Sequence, residues 1–171
     1  MRAQTTMNTA DLVGHVRAQF SRIYLGGIPS LLTDDGAFLS FICSLTAIEA
    51  LGGFVRPKEN NGPRFKGFVK DYFPDPYPGH AENLWKLRNA AVHGLSPGPY
   101  KLTHHHSQLH LTKDGGLIVL NAEDFYGALL QAAKRYFDAL VTDTTLLLAF
   151  VERANDPDTG VLVVAPATGT P

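Results

Sequence analysis

The sequence predicts a mainly α protein, a helical bundle with a small β-hairpin inserted before the last long helix. Two observations carry that expectation. Apolar residues recur at three- and four-residue steps through most of the first 95 residues and again after Asn121, the spacing that gathers them on one face of a helix. Between those regions the period changes: "YKLTHHHSQLHL", "TKDGG" and "LIVL" read as strand, Asp-Gly turn and strand. With 44% apolar and 18% charged residues in 171, the chain has enough apolar material for one globular domain. That domain is expected over 1–154. A flexible Pro-, Gly- and Thr-rich tail is expected over 155–171, although its "VLVV" has strand character.

A first helix is expected from a cap at Asn8 or Thr9, through Val13, Val16, Phe20 and Ile23, to Gly26-Gly27. A second, from Asp34 or Asp35 to Leu51, is apolar around most of its circumference, as a central bundle helix must be, and Gly52-Gly53 should stop it. A short third helix from Arg64 to Tyr72 presents Phe65, Phe68, Val69 and Tyr72 on one face. It ends at the proline-rich "PDPYPG". A fourth runs from about Gly79 to His93, with Gly94 as its left-handed terminator and Pro97 and Pro99 beyond it. After the hairpin, Asn121 should cap a long helix whose first turn holds Glu123 and Asp124, where carboxylates favour the helix dipole. A further helical stretch lies near Thr145 to Glu152.

The net charge of −1 gives no overall basic field for nucleic acid. The charge is uneven, however: from Arg56 to Arg88 there are seven Lys/Arg against four acids, and this basic third is flanked by acidic segments. Cys43 is the only cysteine, which excludes an intrachain disulfide and a thiolate zinc site; apolar neighbours predict a buried, inert thiol. The N-terminus lacks the apolar stretch of a signal peptide, and "AFLSFICSLTAIEAL" is too short for a membrane span and carries Glu49. A cytoplasmic protein with no membrane partner is expected.

The unusual feature is "NLWKLRNAAVHGL", Asn83 to Leu95. Leu84, Leu87, Ala91 and Leu95 form an apolar seam, yet Arg88, Asn89 and His93 sit in its second half. On a regular helix Arg88 and His93 point about 140° apart, whereas Asn89 and His93 are neighbours at about 40°. Loosening of the final turn would let all three converge. Such a set suits phosphodiester cleavage: an imidazole takes the proton of a ribose 2′-hydroxyl, and a guanidinium holds the phosphate. The substrate supplies its own nucleophile, so no cofactor or metal is required. The competing structural reading pairs Arg88 with Glu49 and makes His93 a helix cap.

"LRNAAVHG" resembles the signature of the HEPN superfamily, an arginine followed by a polar residue and, further on, a histidine. Arg88, Asn89 and His93 match it position by position, as an Arg-x4-His motif. The upstream apolar helix bearing Glu49 and the "YFPDPY" break are also similar to bacterial HEPN-like proteins. The resemblance spans Phe38 to Leu95 well, the flanking helices loosely and the hairpin and tail hardly at all. It implies a four- to five-helix bundle that pairs as a two-fold homodimer, with two copies of the motif in one cleft. It also implies a metal-independent endoribonuclease in a toxin–antitoxin, phage-defence or RNA-processing role, with a nucleotidyltransferase-type antitoxin as a partner in some systems. Other members keep the fold and only bind, so a non-catalytic interaction module, with Arg88 and His93 structural, is the alternative. Catalytic roles then fall to Arg88, Asn89 and His93, support to Glu49, and RNA contacts to Lys66, Lys70 and Lys86. Tyr72, Phe73, Tyr77 and Trp85 either stack on bases or pack the core.

"HHH" invites a metal. On a regular strand His104, His106 and His110 share a face and are the weak ligand candidates, though no carboxylate or cysteine accompanies them in that pattern. No metal is assigned on the sequence alone.

Overall fold

Six α-helices and a three-stranded sheet make up residues 8–156, the part of the chain described by the computed structural model. Helix α1 (Thr9–Phe20) is capped by Asn8, whose side chain accepts from the Asp11 N–H. It runs on as a π-helical turn, Ser21–Leu25, and a short 3-10 turn, Ile28–Leu31. Helix α2 (Ala37–Val55) packs against α3 (Asn61–Tyr72), α4 (Ala81–Gly94), α5 (Ala122–Ala139) and α6 (Thr144–Ala154). It is therefore the central helix that its apolar circumference predicts. By length and composition it is also the one described helix that could cross a membrane, and half of it is buried inside the protein. Phe41, Leu45, Ile48 and Leu51 of α2 are fully enclosed with Phe65 and Phe68 of α3, Leu84 and Leu87 of α4, and Phe125 and Leu129 of α5.

Gly52-Gly53 does not stop α2, which continues to Val55. The glycines serve packing instead. A Cβ on Gly52 would lie 2.7 Å from the Arg64 carbonyl oxygen, so its absence lets the backbones of α2 and α3 approach. Helix α3 begins three residues earlier than expected, and the Asp75–Pro76 peptide in the break after it is cis. Helix α4 ends at Gly94, but the left-handed residue is Leu95 (φ 51°), which is 81% exposed. The N–H groups of Leu95 and Ser96 both reach the Ala90 carbonyl and close the helix. The last stretch is a separate helix because Asp143 starts it afresh, accepting from the Leu146 N–H. Asn121 occupies the position before α5, yet its side-chain Nδ2 donates to Asp124 and its Oδ1 accepts from the His106 N–H, so it does not cap the helix backbone.

The sheet has the order β1-β3-β2, with β1 at Tyr100–Thr103, β2 at Lys113–Asp114 and β3 at Leu117–Asn121. Strands β2 and β3 form the hairpin. Asp114 pairs with Leu117, so the turn is Gly115-Gly116, both with positive φ, as a primed two-residue turn requires. Strand β1 adds in parallel, Tyr100 opposite Ile118 and Thr103 opposite Asn121. The expected strand through the histidines stops at Thr103, because β3 ends at Asn121 and α5 begins at once, leaving no ladder beyond. His104 to Leu111 form instead an irregular crossing with a 3-10 turn at Ser107–Leu109 and positive φ at His105 and Leu111. The expected tail strand lies outside the described residues.

Replacing Gly52 with alanine should lower stability by about 1–2 kcal/mol, overpacking outweighing the better helix propensity. Gly127→Ala, in a helical position with nothing within 4 Å, should raise it by about 0.5–1 kcal/mol. Denaturant melts of the two variants should therefore move in opposite directions.

His110 closes the crossing. Its Nδ1 accepts from the Asn121 N–H at 3.1 Å, so the neutral ring carries its proton on Nε2, 2.8 Å from the Tyr77 hydroxyl. Burial pushes its pKa below the ordinary histidine value, more than Asp124 raises it. Unfolding therefore takes up a proton. The contribution is complete above about pH 6.5, the unfolded value, and is lost as pH falls through the folded one. Thermal melts should show a falling midpoint from pH 7.5 to 5.5, with a shallower slope in His110→Asn, which keeps an acceptor but does not titrate.

Candidate functional site

Helix α4 positions the site and α2 holds it in place. Arg88 Nε and Nη2 both reach Glu49 Oε2, at 2.8 and 2.7 Å, and the two side chains are only 18% and 14% exposed. The guanidinium carbon lies 5.5 Å from the centre of the Trp85 ring, one turn earlier on the same helix. Trp85 packs in turn on Phe65 and against Gly62. The sequence allows Trp85 either base stacking or a place in the core. It braces the guanidinium, and its spacing three residues before Arg88 was the available signal.

The third guanidinium nitrogen is left for the surface. Arg88 Nη1 lies 3.3 Å from Asn89 Oδ1 and 3.4 Å from His93 Nε2. The three side chains thus converge without loosening of α4, which stays helical to Gly94. The reach of the arginine stem bridges the angular gap that backbone geometry alone imposes. Both contacts are at the long end of hydrogen bonding and are easily exchanged for a better acceptor. The contact with His93 needs a lone pair on Nε2, hence a neutral ring protonated on Nδ1. Among the described residues His93 is engaged with Arg88, not with a helix-end carbonyl, and the N–H groups of Leu95 and Ser96 close the helix on Ala90.

Glu82, Lys86, Asn89 and His93 fall at i, i+4, i+7 and i+11 and form one stripe along α4. At its far end Lys66 of α3 bonds Glu82 at 2.9 Å. This bond, with the charges of Lys66, Lys86 and Lys70, holds the Glu82 carboxyl below the usual carboxylate range. All three lysines act on Glu82, and because Asp71, the other acid of α3 and α4, is paired with Arg56, they leave a positive excess on this surface. Val92 and Leu95, beside His93, are apolar and exposed. On α2, Cys43 is half-buried rather than buried, and burial pushes its thiol pKa up, so little thiolate forms at neutral pH. Tyr72, Phe73 and Tyr77 belong to the aromatic core, not to an open stacking surface: Tyr72 meets Phe68 and Tyr136, and Phe73 meets Phe68, Tyr77 and Phe125.

The histidines divide differently from expectation. His106 contacts Gln108, and His110 is engaged with Tyr77 and Asn121, so His104, His106 and His110 do not share a face. His104 and His105 gather instead with Glu123. The sequence reading misses His105 because it assumes a regular strand, and misses Glu123 because the contact is non-local; the irregular crossing brings both to His104.

No protein-family profile, curated protein or solved structure matches the chain.

Glu49→Ala should cost about 3 kcal/mol by leaving a largely enclosed guanidinium unpaired. His93→Ala should cost less than about 1 kcal/mol, since one long contact is lost at an exposed position. Chemical denaturation of both variants checks the contrast.

Proposed function

We propose that the chain is a HEPN-like homodimeric endoribonuclease, acting in the cytoplasm. The supporting observation is the divided use of Arg88: two nitrogens are spent on Glu49, and the third faces Asn89 and His93. Glu49 fixes the guanidinium, so little ordering entropy remains to be lost when Nη1 exchanges its long contacts for a phosphate oxygen. His93 Nε2, freed by the same exchange, accepts the proton of the 2′-hydroxyl. The 2′-oxygen attacks phosphorus, the bond from phosphorus to the 5′-oxygen breaks, and that oxygen takes a proton from water, giving a 2′,3′-cyclic phosphate and a 5′-hydroxyl. Arg88 stabilises the charge that accumulates on the phosphoryl oxygens, and Asn89 orients the guanidinium. Because the nucleophile belongs to the substrate, this chemistry calls for no metal. Lys66, Lys70 and Lys86 supply a phosphate track toward the motif, and Val92 and Leu95 provide apolar surface for pairing through α4. A nucleotidyltransferase-type antitoxin is the partner that a toxin–antitoxin role would add.

A second reading has its own support. The near-complete engagement and low exposure of Arg88 also fit a non-catalytic module in which the motif only ties α4 to α2.

The two are separated by incubating wild type, His93→Ala and Arg88→Lys with mixed single-stranded RNA in excess chelator, well below the melting temperature. Cleavage is expected in wild type and lost at least 100-fold in both variants; Arg88→Lys keeps most of the charge pairing but loses the fork. Light scattering is expected to show a dimer that Val92→Glu/Leu95→Glu converts to monomer without a lower melting point. Intact RNA with wild type, or an enzyme indifferent to His93→Ala, sinks the nuclease.

A further inference from the structure

We propose that His104, His105 and Glu123 form a binding site for a borderline divalent transition-metal cation, zinc foremost, that clasps the sheet crossing to the start of α5. Their ligand atoms all lie within 4.8 Å of one another. Metal–ligand bonds of about 2.0–2.2 Å in a tetrahedral site place such atoms about 3.3 Å apart, so small side-chain rotations close the set. Two imidazoles and a carboxylate are a donor set suited to zinc and its neighbours rather than to magnesium or calcium.

Two buried polar atoms at this place lack a hydrogen-bond partner among the described residues, His104 Nδ1 and Glu123 Oε1. An unsatisfied buried nitrogen and carboxylate oxygen each carry a desolvation cost that a cation between them removes. Glu123 Oε1 lies 2.8 Å from His105 Nδ1, the length of an ion pair but without hydrogen-bond alignment. Its other oxygen accepts from the His105 backbone N–H at 3.0 Å, which aims the carboxylate. The second nitrogen of His104 is 3.1 Å from Asp34 Oδ1, in the segment before α2. A carboxylate on the far nitrogen of a ligating imidazole fixes its tautomer and orientation and raises its basicity.

The backbone contributes as well. His105 has φ +55°, a conformation uncommon outside glycine, and it folds the chain back so that two consecutive imidazoles face the same carboxylate, their ring centres 4.7 Å apart. A regular strand would send them to opposite faces. The positive φ therefore has a use that the ladder geometry alone does not give it. Three protein ligands leave a fourth position for water. The site is separate from the Arg88 motif, and its role is to fasten the segment before α2, the crossing and α5 together.

The test uses the full chain stripped with chelator and dialysed. Calorimetric titration with zinc chloride is expected to give one equivalent at micromolar affinity or tighter, with a melting temperature that rises on loading. His105→Ala and Glu123→Gln, the former at an exposed side chain, should weaken uptake at least 10-fold and abolish the rise. Asp34→Asn should weaken it about 10-fold through His104, and His106→Ala should leave it unchanged. Circular dichroism of each metal-free variant confirms folding. Failure of wild type to take up an equivalent, uptake that survives both ligand substitutions, or uptake lost in His106→Ala would overturn the assignment.

Discussion

The pairing of Glu49 with Arg88 sets the register on which the rest of the bundle depends. Helix α2 carries no other Asp, Glu, Lys or Arg, and its apolar faces could slide or rotate against neighbours with little change in buried area. One carboxylate that must meet one guanidinium removes that freedom. The two-nitrogen grip on a single oxygen fixes α4 in rotation as well as in height. Such a pair adds little net stability over an apolar one, but it defines which arrangement is native. Gly52 acts with it. The close approach to Arg64 is available only at that height, so a polar pair and a missing side chain specify the same alignment.

Around that axis the core is unusually aromatic. Phe20, Phe137, Tyr136, Tyr72, Phe68 and Phe73 run in successive ring contacts from α1 to the proline break, where Tyr77 and Phe125 continue to His110. Flat rings in tilted and edge-on contact fill the space between non-parallel helices better than branched aliphatics. Tyr136 and Tyr100 keep hydroxyls buried without a partner among the described residues, and burial raises both phenol pKa values. The chain thus tolerates two unsatisfied hydroxyls for the sake of ring packing.

Much of this is legible in the amino-acid sequence. The identity of the central helix, the aromatic face of α3, a cap at Asn8 or Thr9 and the buried seam of Leu84, Leu87 and Ala91 all follow from local signals, whereas Leu95, read as the end of that seam, is exposed. What escaped is non-local. Gly52-Gly53 resembled a stop because its true neighbour, Arg64, is twelve residues away. Leu95 rather than Gly94 takes the left-handed position, where its N–H and that of Ser96 share the Ala90 carbonyl, a pairing that spacing does not reveal. The histidine strand failed because β3 is short, and that depends on where α5 begins. The convergence of Arg88, Asn89 and His93 was readable only in part: spacing places Asn89 beside His93, but the stem length that brings Arg88 to both is a side-chain property.

The small sheet has a consequence for how copies of the chain can meet. Its open edges are β1, four residues long and bearing Lys101, and β2, two residues long and made of Lys113 and Asp114, with Lys101 bonded to Asp114 across the sheet. Edges so short and charged offer a poor template for an incoming strand. Intermolecular β-addition at these two edges is therefore disfavoured. Lengthening the turn at Gly115-Gly116, or neutralising the lysines, would make it easier.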